Sequence, residues 1–285
     1  MRKPVALLAA FVLVLASVGQ AAAAGGSSFD KAKLYYLSLG DSLAAGVQPI
    51  GDPNAAFRTD RGYAEQLLAT AKSAYPKLAL EKLGCPGETT ATMIDGGICT
   101  YDHGSQLDEA VAFLHAHRQF VAFITIDIGA NDFPCQAAEC VPAGVASIQA
   151  NLPSILAQLR DAAGPGIPIV GMTLYNPFLA NWLTGPDGQA IAQASATQLL
   201  GPVNGLLKGI FTAAGDPFAD IETEFSSNDF ATQVDLPGAG TVPLNVARIC
   251  MWTWVCAPAP YGPDNHANEA GYGHIAHAFS VALGL

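Results

Sequence analysis

The stretch Phe120–Ile128 (FVAFITIDI), followed at once by Gly129-Ala130-Asn131-Asp132, decides the fold of this 285-residue chain. It is nearly continuous in apolar, β-branched and aromatic residues. Such a run predicts a strand that is buried on both faces, as in a parallel sheet. Outward from it, helical and strand patterns alternate in both directions along the chain, and this alternation is typical of an α/β domain with a parallel sheet.

The other elements follow from the same patterns. Strands are predicted at 33–39, 78–83, 168–174 and 217–221, and helices at 63–74, 106–117, 144–162, 189–214 and 269–283. Because no repeat or linker interrupts residues 25–285, we expect them to form one domain. The exception to the alternation is 224–263, which is rich in Gly, Pro and Asn and contains Trp252 and Trp254. We expect a long loop there, without secondary structure, that forms a wall or lid over a binding site.

Composition excludes several classes of protein. The 24 acidic residues outnumber the 13 basic ones, for a formal net charge of −11. A chain this acidic is unsuited to nucleic acids and to anionic membrane surfaces. Its 51% hydrophobic content excludes intrinsic disorder.

The first 24 residues have the three-part layout of a secretory signal peptide. Arg2 and Lys3 precede an apolar run from Val5 to Val18, and a run of four alanines, 21–24, offers small residues for cleavage. The alternative is a membrane anchor, for which the apolar run is short, since a spanning helix needs about 20 residues. We therefore expect a secreted, extracellular protein.

The six cysteines agree with secretion, because an even number in a secreted chain is typical of disulfides. Pairing between sequence neighbours predicts three short loops, and no CxxC pair or histidine spacing favours a zinc site instead. The predicted pairs are Cys85–Cys99, Cys135–Cys140 and Cys250–Cys256.

Residues with catalytic potential follow the predicted strands. Gly40-Asp41-Ser42-Leu43 follows the first strand, 84–89 the second and Gly129-Ala130-Asn131-Asp132 the third, while His266 precedes the last helix. Ligands of parallel sheets bind at the carboxyl ends of the strands, so these groups converge on the edge where a site is expected. Taken singly, Ser42 could be a helix cap and Asn131 an ordinary turn residue.

Together these blocks resemble the SGNH (GDSL) hydrolase superfamily. GDSL after the first strand and GAND after the central one carry the resemblance, and Gly271-Tyr272 beyond His266 is similar to the family's tail motif. With three disulfides and WTWVC near the end, the chain particularly resembles secreted actinobacterial lipases and esterases. The resemblance implies a three-layer α/β/α, flavodoxin-like fold with a mostly five-stranded parallel sheet.

The resemblance also implies the roles of the site residues. Ser42 is the expected nucleophile and His266 the base that takes its proton. The expected oxyanion donors are the backbone N–H groups of Ser42 and Gly87 and the side-chain amide of Asn131.

The third member of the triad departs from the family pattern. The family places an Asp three residues before the histidine, where this chain has Pro263. We expect Asp264 to orient His266 instead. The alternative is a backbone carbonyl in 252–263, in which case Asp264→Ala would retain most activity.

The predicted substrate is a small-molecule or lipid ester with a fatty acyl chain, and neither a cofactor nor a metal is implied. Six aromatic residues are candidates for an acyl groove: Phe178, Trp182, Phe225, Phe230, Trp252 and Trp254. The alternatives are a carbohydrate acetyl esterase, a phospholipase, and a non-catalytic secreted binding protein on the same fold. An α/β-hydrolase is disfavoured because the serine lacks the second glycine of G-x-S-x-G. We expect a monomer without stable membrane insertion.

Overall fold

A computed structural model describes residues 33–52, 54, 56–133 and 140–285. The predicted signal peptide at 1–24 lies outside these ranges, and so does Cys135 with its predicted bond to Cys140. The signal peptide and this pair therefore stay predictions, as does the single domain over residues 25–285.

Five parallel strands form the central sheet, in the order β2-β1-β3-β4-β5. Their bounds are β1 Tyr35–Gly40, β2 Ala79–Lys82, β3 Val121–Asp127, β4 Ile169–Met172 and β5 Phe218–Ala219. All seven residues of β3 are buried, because β3 lies in the middle of the sheet with helices on both sides. The predicted α/β fold with a five-stranded parallel sheet is confirmed.

Helices cover the sheet in two groups. Their bounds in the first part of the chain are α1 Tyr63–Ala71, α2 Thr90–Asp95, α3 Gln106–His117 and α4 Val141–Ala163. Those in the second part are α5 Pro186–Ala194, α6 Gly201–Ala214, α7 Ile221–Glu224, α8 Leu244–Trp252 and α9 Glu269–Leu283. Helix α1 packs against α9, while α4 packs against α2, α3 and α6. The predicted helix 189–214 is interrupted by a π-helical turn, Ser195–Leu200, that separates α5 from α6.

The expectation of a loop without secondary structure at 224–263 is wrong. An antiparallel hairpin of β6 Gln233–Leu236 and β7 Gly240–Pro243 lies there, and α8 follows it directly. The Pro-Gly-Ala-Gly sequence that suggested a loop is the hairpin turn, with both glycines at positive φ. Hairpin and α8 share a small apolar core of their own, formed by Leu236, Val242, Val246 and Ala247.

Two of the predicted disulfides are present: Cys85–Cys99 and Cys250–Cys256. The first ties the segment after β2 to the loop before α3, and the second links α8 to the loop that follows it. Within the described ranges, no helix combines the length and the hydropathy that crossing a membrane requires.

The strand order locates a crevice. The chain passes from β1 to β2 on one side and then crosses to β3 on the other, so the strand order reverses between β1 and β3. In open α/β sheets, ligands bind beyond the carboxyl ends of the strands at this reversal. The segments that follow β1 and β3 contain Ser42 and Asn131.

Candidate active site

The turn after β1 holds Ser42 in a fixed backbone conformation. Gly40 has a φ of +134°, and a Cβ there would lie 2.0 Å from the backbone oxygen of Asp127, so only glycine fits. The Asp41 N–H donates to that oxygen at 3.1 Å, and the Leu43 N–H donates to Asp41 Oδ1 at 2.9 Å. Asp41, before Ser42, is therefore anchored to β3, and Leu43, after it, is anchored to Asp41.

The buried side chain of Gln106 holds the same turn through hydrogen bonds. Gln106 accepts a hydrogen bond from the Gly40 N–H and donates one to the Gly40 oxygen. Its side-chain nitrogen also donates to Glu88 Oε2 at 3.0 Å. Sequence analysis missed Gln106, because a polar residue at the start of a helix has no signal that separates this role from capping.

Asn131 lies in a 3₁₀ turn, Ala130–Asp132, directly after β3. Its side-chain nitrogen donates to the backbone oxygen of Glu88 at 3.0 Å and faces Asp41 Oδ2 at 3.3 Å. The neighbouring Asp132 carboxylate accepts from the backbone and hydroxyl of Thr90 and from the Ser147 hydroxyl. Asp132 thus connects the Asn131 turn to α2 and α4.

Gly87 lies between β2 and α2 with a φ of +86°, a conformation that favours glycine. It is exposed and next to Glu88, whose oxygen accepts from Asn131. Gly87 is close to the site through this contact but does not line the cavity described below.

His266 and Asp264 contact each other as the sequence predicts. His266 Nδ1 lies 2.8 Å from Asp264 Oδ1, and the same oxygen accepts the His266 backbone N–H at 2.9 Å. Burial by itself raises the pKa of Asp264, but the hydrogen bond from the His266 ring and the charge of that ring lower it overall below its ordinary value. A charged Asp264 holds the proton of His266 on Nδ1 and leaves Nε2 as the basic nitrogen.

A cavity of about 350 Å³ joins these segments. Its polar lining residues are Asp41, Ser42, Asn131, Asn265 and His266. Apolar side chains form most of the rest of the wall. Those from the start of α4, the 3₁₀ turn Pro177–Thr184, the π-helical turn and α6 are Val141, Phe178, Leu199, Leu200 and Val203, and Phe133 and Tyr175 add two further rings. This volume and lining are typical of a small-molecule site.

Of the six aromatic candidates for an acyl groove, Phe178 lines this cavity and the other five do not. Phe225 is buried in the core, while Trp182 packs on Phe230. Trp252 stacks on His274, and the Trp254 ring donates to Gln48. The rest of the apolar wall is formed by aliphatic residues together with Phe133 and Tyr175, which the sequence pattern does not distinguish from core.

Two buried carboxyl groups lie beneath the nucleophile turn. Asp41 and Asp127 are 2% and 1% exposed, and their side chains are hydrogen-bonded to each other. Burial raises the pKa of both groups, and the charge of Asp41 raises that of Asp127 further. Asp127 was not a predicted site residue, although a carboxylate within the most apolar strand of the sequence is a signal of one.

The described residues include no group of three or more His, Cys, Asp or Glu side chains that could hold a metal ion.

The model of one known protein family, the GDSL-like lipase/acylhydrolase family, matches residues 38–274 of this chain. None of the curated proteins matches the sequence.

Several solved structures share the fold. Phospholipase A1 from Streptomyces albidoflavus superimposes with a TM-score of 0.54 at 17% identity, over 88% of this chain and 99% of that one. An extracellular lipase from Streptomyces rimosus gives a TM-score of 0.54 at 19% identity, over 87% and 99% of the two chains. An acetylxylan esterase from Geobacillus stearothermophilus gives 0.52 at 16% identity, over 90% and 97%. At these identities the likeness concerns the fold.

Proposed function

Because the chain belongs to the GDSL-like lipase/acylhydrolase family, we propose that it is a secreted serine hydrolase that cleaves carboxylic esters of acyl or lipid substrates. One observation carries the proposal: Ser42, Asn131 and His266 line a single cavity whose remaining wall is mostly apolar. An ester needs both parts, a reactive group at its carbonyl carbon and an apolar surface for its acyl chain.

Ser42 is the nucleophile in this proposal. A serine hydroxyl is too weakly nucleophilic alone and needs a neighbouring base. His266 takes the hydroxyl proton on Nε2 while Ser42 Oγ attacks the carbonyl carbon, and it then donates that proton to the leaving alcohol. Water hydrolyses the acyl-enzyme by the same steps, with His266 again acting as base and then as acid.

Asp264 supports His266 through the two reaction steps. Its contact with Nδ1 fixes the tautomer and stabilises the imidazolium that forms in each step. The lowered pKa of Asp264 keeps the carboxylate charged in the pH range in which the histidine works.

The oxyanion is stabilised by the backbone N–H groups of Ser42 and Gly87 and by the Asn131 amide. The 3.0 Å bond to Glu88 fixes the Asn131 side chain, and its contact with Asp41 is longer at 3.3 Å. The hydrogen that makes the longer contact is the one available to the oxyanion. Fixed donors of this kind contribute a large part of the catalysis in acyl transfer.

The acyl chain occupies the apolar wall between α4 and the π-helical turn. Leu199, Leu200 and Val203 present aliphatic surface there, and Phe133, Tyr175 and Phe178 add aromatic rings. The wall is mostly apolar, which favours an acyl chain over a carbohydrate. The two disulfides and the N-terminal sequence support secretion.

The test is hydrolysis of p-nitrophenyl esters from acetyl to palmitoyl by the wild type and Ser42→Ala. We expect kcat/KM to rise from acetyl into the medium-chain range and kcat to fall by about 10⁴-fold or more in Ser42→Ala. Ser38→Ala is the matched control, since Ser38 is a buried serine of β1 outside the cavity.

Two other outcomes would replace the proposal. Activity confined to the acetyl ester would indicate a carbohydrate acetyl esterase. Equal rates for the wild type and Ser42→Ala on every ester would indicate a non-catalytic binding protein.

A further inference from the structure

Asp127 is bonded to both sides of the nucleophile turn. Its Oδ2 atom lies 3.4 Å from the Asp41 nitrogen and 3.3 Å from the Ala44 nitrogen, so it meets the residue before Ser42 and the second one after it. The Tyr63 hydroxyl donates to Oδ1 at 2.5 Å. The side chain of Asp127, at the end of β3, thus fixes the backbone conformation of the turn that contains Ser42.

The same side chain is paired with a second carboxyl group. Asp41 and Asp127 are hydrogen-bonded to each other in a buried site, and such a bond requires a proton on one of them. Two ionised carboxylates side by side in a buried site repel each other, and in the described part of the chain no Lys or Arg forms an ion pair with either.

The hydrogen-bond pattern indicates which group holds the proton. Asp41 Oδ1 accepts a 2.9 Å bond from Leu43, and its Oδ2 faces the Asn131 amide, so both oxygens of Asp41 face donors. Asp127 accepts one short hydrogen bond, at Oδ1, whereas the two N–H groups that face its Oδ2 are both at long distances. An oxygen that carries the proton is a poor acceptor, and the long contacts of Asp127 Oδ2 agree with this.

We propose that Asp127 is a positioning residue for Ser42 and that it holds, as a neutral acid, the single proton shared with Asp41. Held in this way, the pair has one negative charge beneath the oxyanion site instead of two. The proton also lets Asp127 donate to Asp41, which in turn holds the Leu43 N–H and the Asn131 amide. The role in catalysis rests on the proposed function, whereas the shared proton does not.

Other titratable groups face the pair without supplying a fixed cation. They are His266, Glu88, Tyr36, Tyr63, Tyr175 and Tyr272. Burial raises the pKa of all four phenols, so they stay neutral beside the pair.

The first test needs no substrate. In infrared difference spectra of the wild type minus Asp127→Asn near neutral pH, we expect the C=O stretching band of a protonated carboxylic acid that is present only in the wild type. The control is Asp216→Asn, which removes a buried carboxylate that already pairs with Arg160. The difference spectrum of the wild type minus Asp216→Asn should lack this band. If the difference spectrum for Asp127→Asn lacks it too, the shared proton is refuted.

The second test separates positioning from mere stability. The amide of Asp127→Asn can donate to Asp41 as the neutral acid does, so its kcat should stay within about threefold of the wild type. Asp127→Ala leaves Asp41 without this donor and frees the Ser42 turn, so its kcat should fall by about 100-fold with little change in KM. An equal fall of kcat in the two variants would overturn the positioning role. So would an effect of Asp127→Ala on KM alone.

The two tests also distinguish this inference from the proposed function. A protein that hydrolyses no ester but shows the band in the wild type would retain the shared proton and lose the hydrolase proposal. Where Asp127→Ala does not fold, Asp127→Asn and the band still decide the question.

Discussion

The nucleophile turn and the histidine loop are the two halves of the site, and they are positioned in different ways. The turn at 40–46 is buried and bonded to β3 through Asp127 and to α3 through Gln106. The histidine loop at 254–268 is half-exposed, with 27% of the His266 side chain accessible. It is held by local contacts and by distant bonds, among them those from the Tyr175 hydroxyl to the Asn265 oxygen at 2.8 Å and from the Trp254 ring to Gln48 at 3.3 Å.

This difference indicates how each half can fail. Changes beneath the nucleophile turn act on the sheet, so they alter stability together with activity. Changes in the histidine loop act on a surface segment, so they should alter activity with little effect on stability. Four variants test that division.

Asp264→Ala should have the largest effect of the four. It removes the carboxylate that orients His266, so kcat should fall by about 10⁴-fold, while thermal unfolding changes little. Asp264→Asn is the matched control, because it keeps an acceptor for the His266 backbone N–H but loses the charge. Kinetics and circular dichroism measure both. If Asp264→Ala retains most of the activity, a backbone carbonyl in 252–263 orients the histidine and Asp264 is not part of a triad.

Asn131→Ala should lower kcat by about 10²- to 10³-fold, because it removes one oxyanion donor. It also leaves the backbone oxygen of Glu88 without its donor at 3.0 Å, so we expect a lower Tm than for Asp264→Ala. Steady-state kinetics and thermal unfolding together give the answer. An unchanged kcat would remove Asn131 from the oxyanion site.

Tyr175→Phe should lower kcat by about fivefold, which corresponds to the loss of one hydrogen bond of about 1 kcal/mol. The ring stays stacked on Phe225, so the variant removes only the bond to the histidine loop. Tyr36→Phe is the control: it loses a buried bond to Thr125 away from the cavity, and its kcat should match the wild type. If the two variants have the same kcat, the Tyr175 bond does not position His266.

Asp127→Asn should have the smallest effect, and it depends on pH. Burial and the charge of Asp41 raise the pKa of Asp127 well above its ordinary value. The folded protein therefore keeps a proton that the unfolded chain releases above about pH 4, so this carboxyl lowers stability as the pH rises. The Tm of Asp127→Asn minus that of the wild type should increase from about pH 4 to about pH 8. A difference that is constant or decreases would mean that Asp127 is charged in the fold.

The sequence predicts the first half of the site better than the second. GDSL and GAND follow strands, so the periodicity that predicts β1 and β3 also places Ser42 and Asn131 at one sheet edge. The contact of Asp264 with His266 could be predicted because the two residues are separated by one position. The anchor from Tyr175 could not, since it joins residues 90 positions apart.

The residues of the acyl wall, and the buried residues that hold the nucleophile turn, could not be predicted from the sequence for a related reason. Leu199, Leu200 and Val203 line the cavity because a π-helical turn precedes α6, and their pattern is that of an ordinary buried helix face. The hairpin within 224–263 was missed because its turn contains the residues that also characterise irregular loops. Local pattern identifies elements and reactive residues, whereas the shape of the cavity depends on packing between distant segments.

The most direct test of the central claim is labelling with a fluorophosphonate probe, followed by mass spectrometry of the peptides. Only an activated serine reacts with this probe. We predict one label per molecule, on the peptide that contains Ser42, and no label in Ser42→Ala or His266→Ala. A wild-type protein that stays unlabelled, or that carries its label on another serine, would contradict the assignment of Ser42 as the nucleophile of a hydrolase.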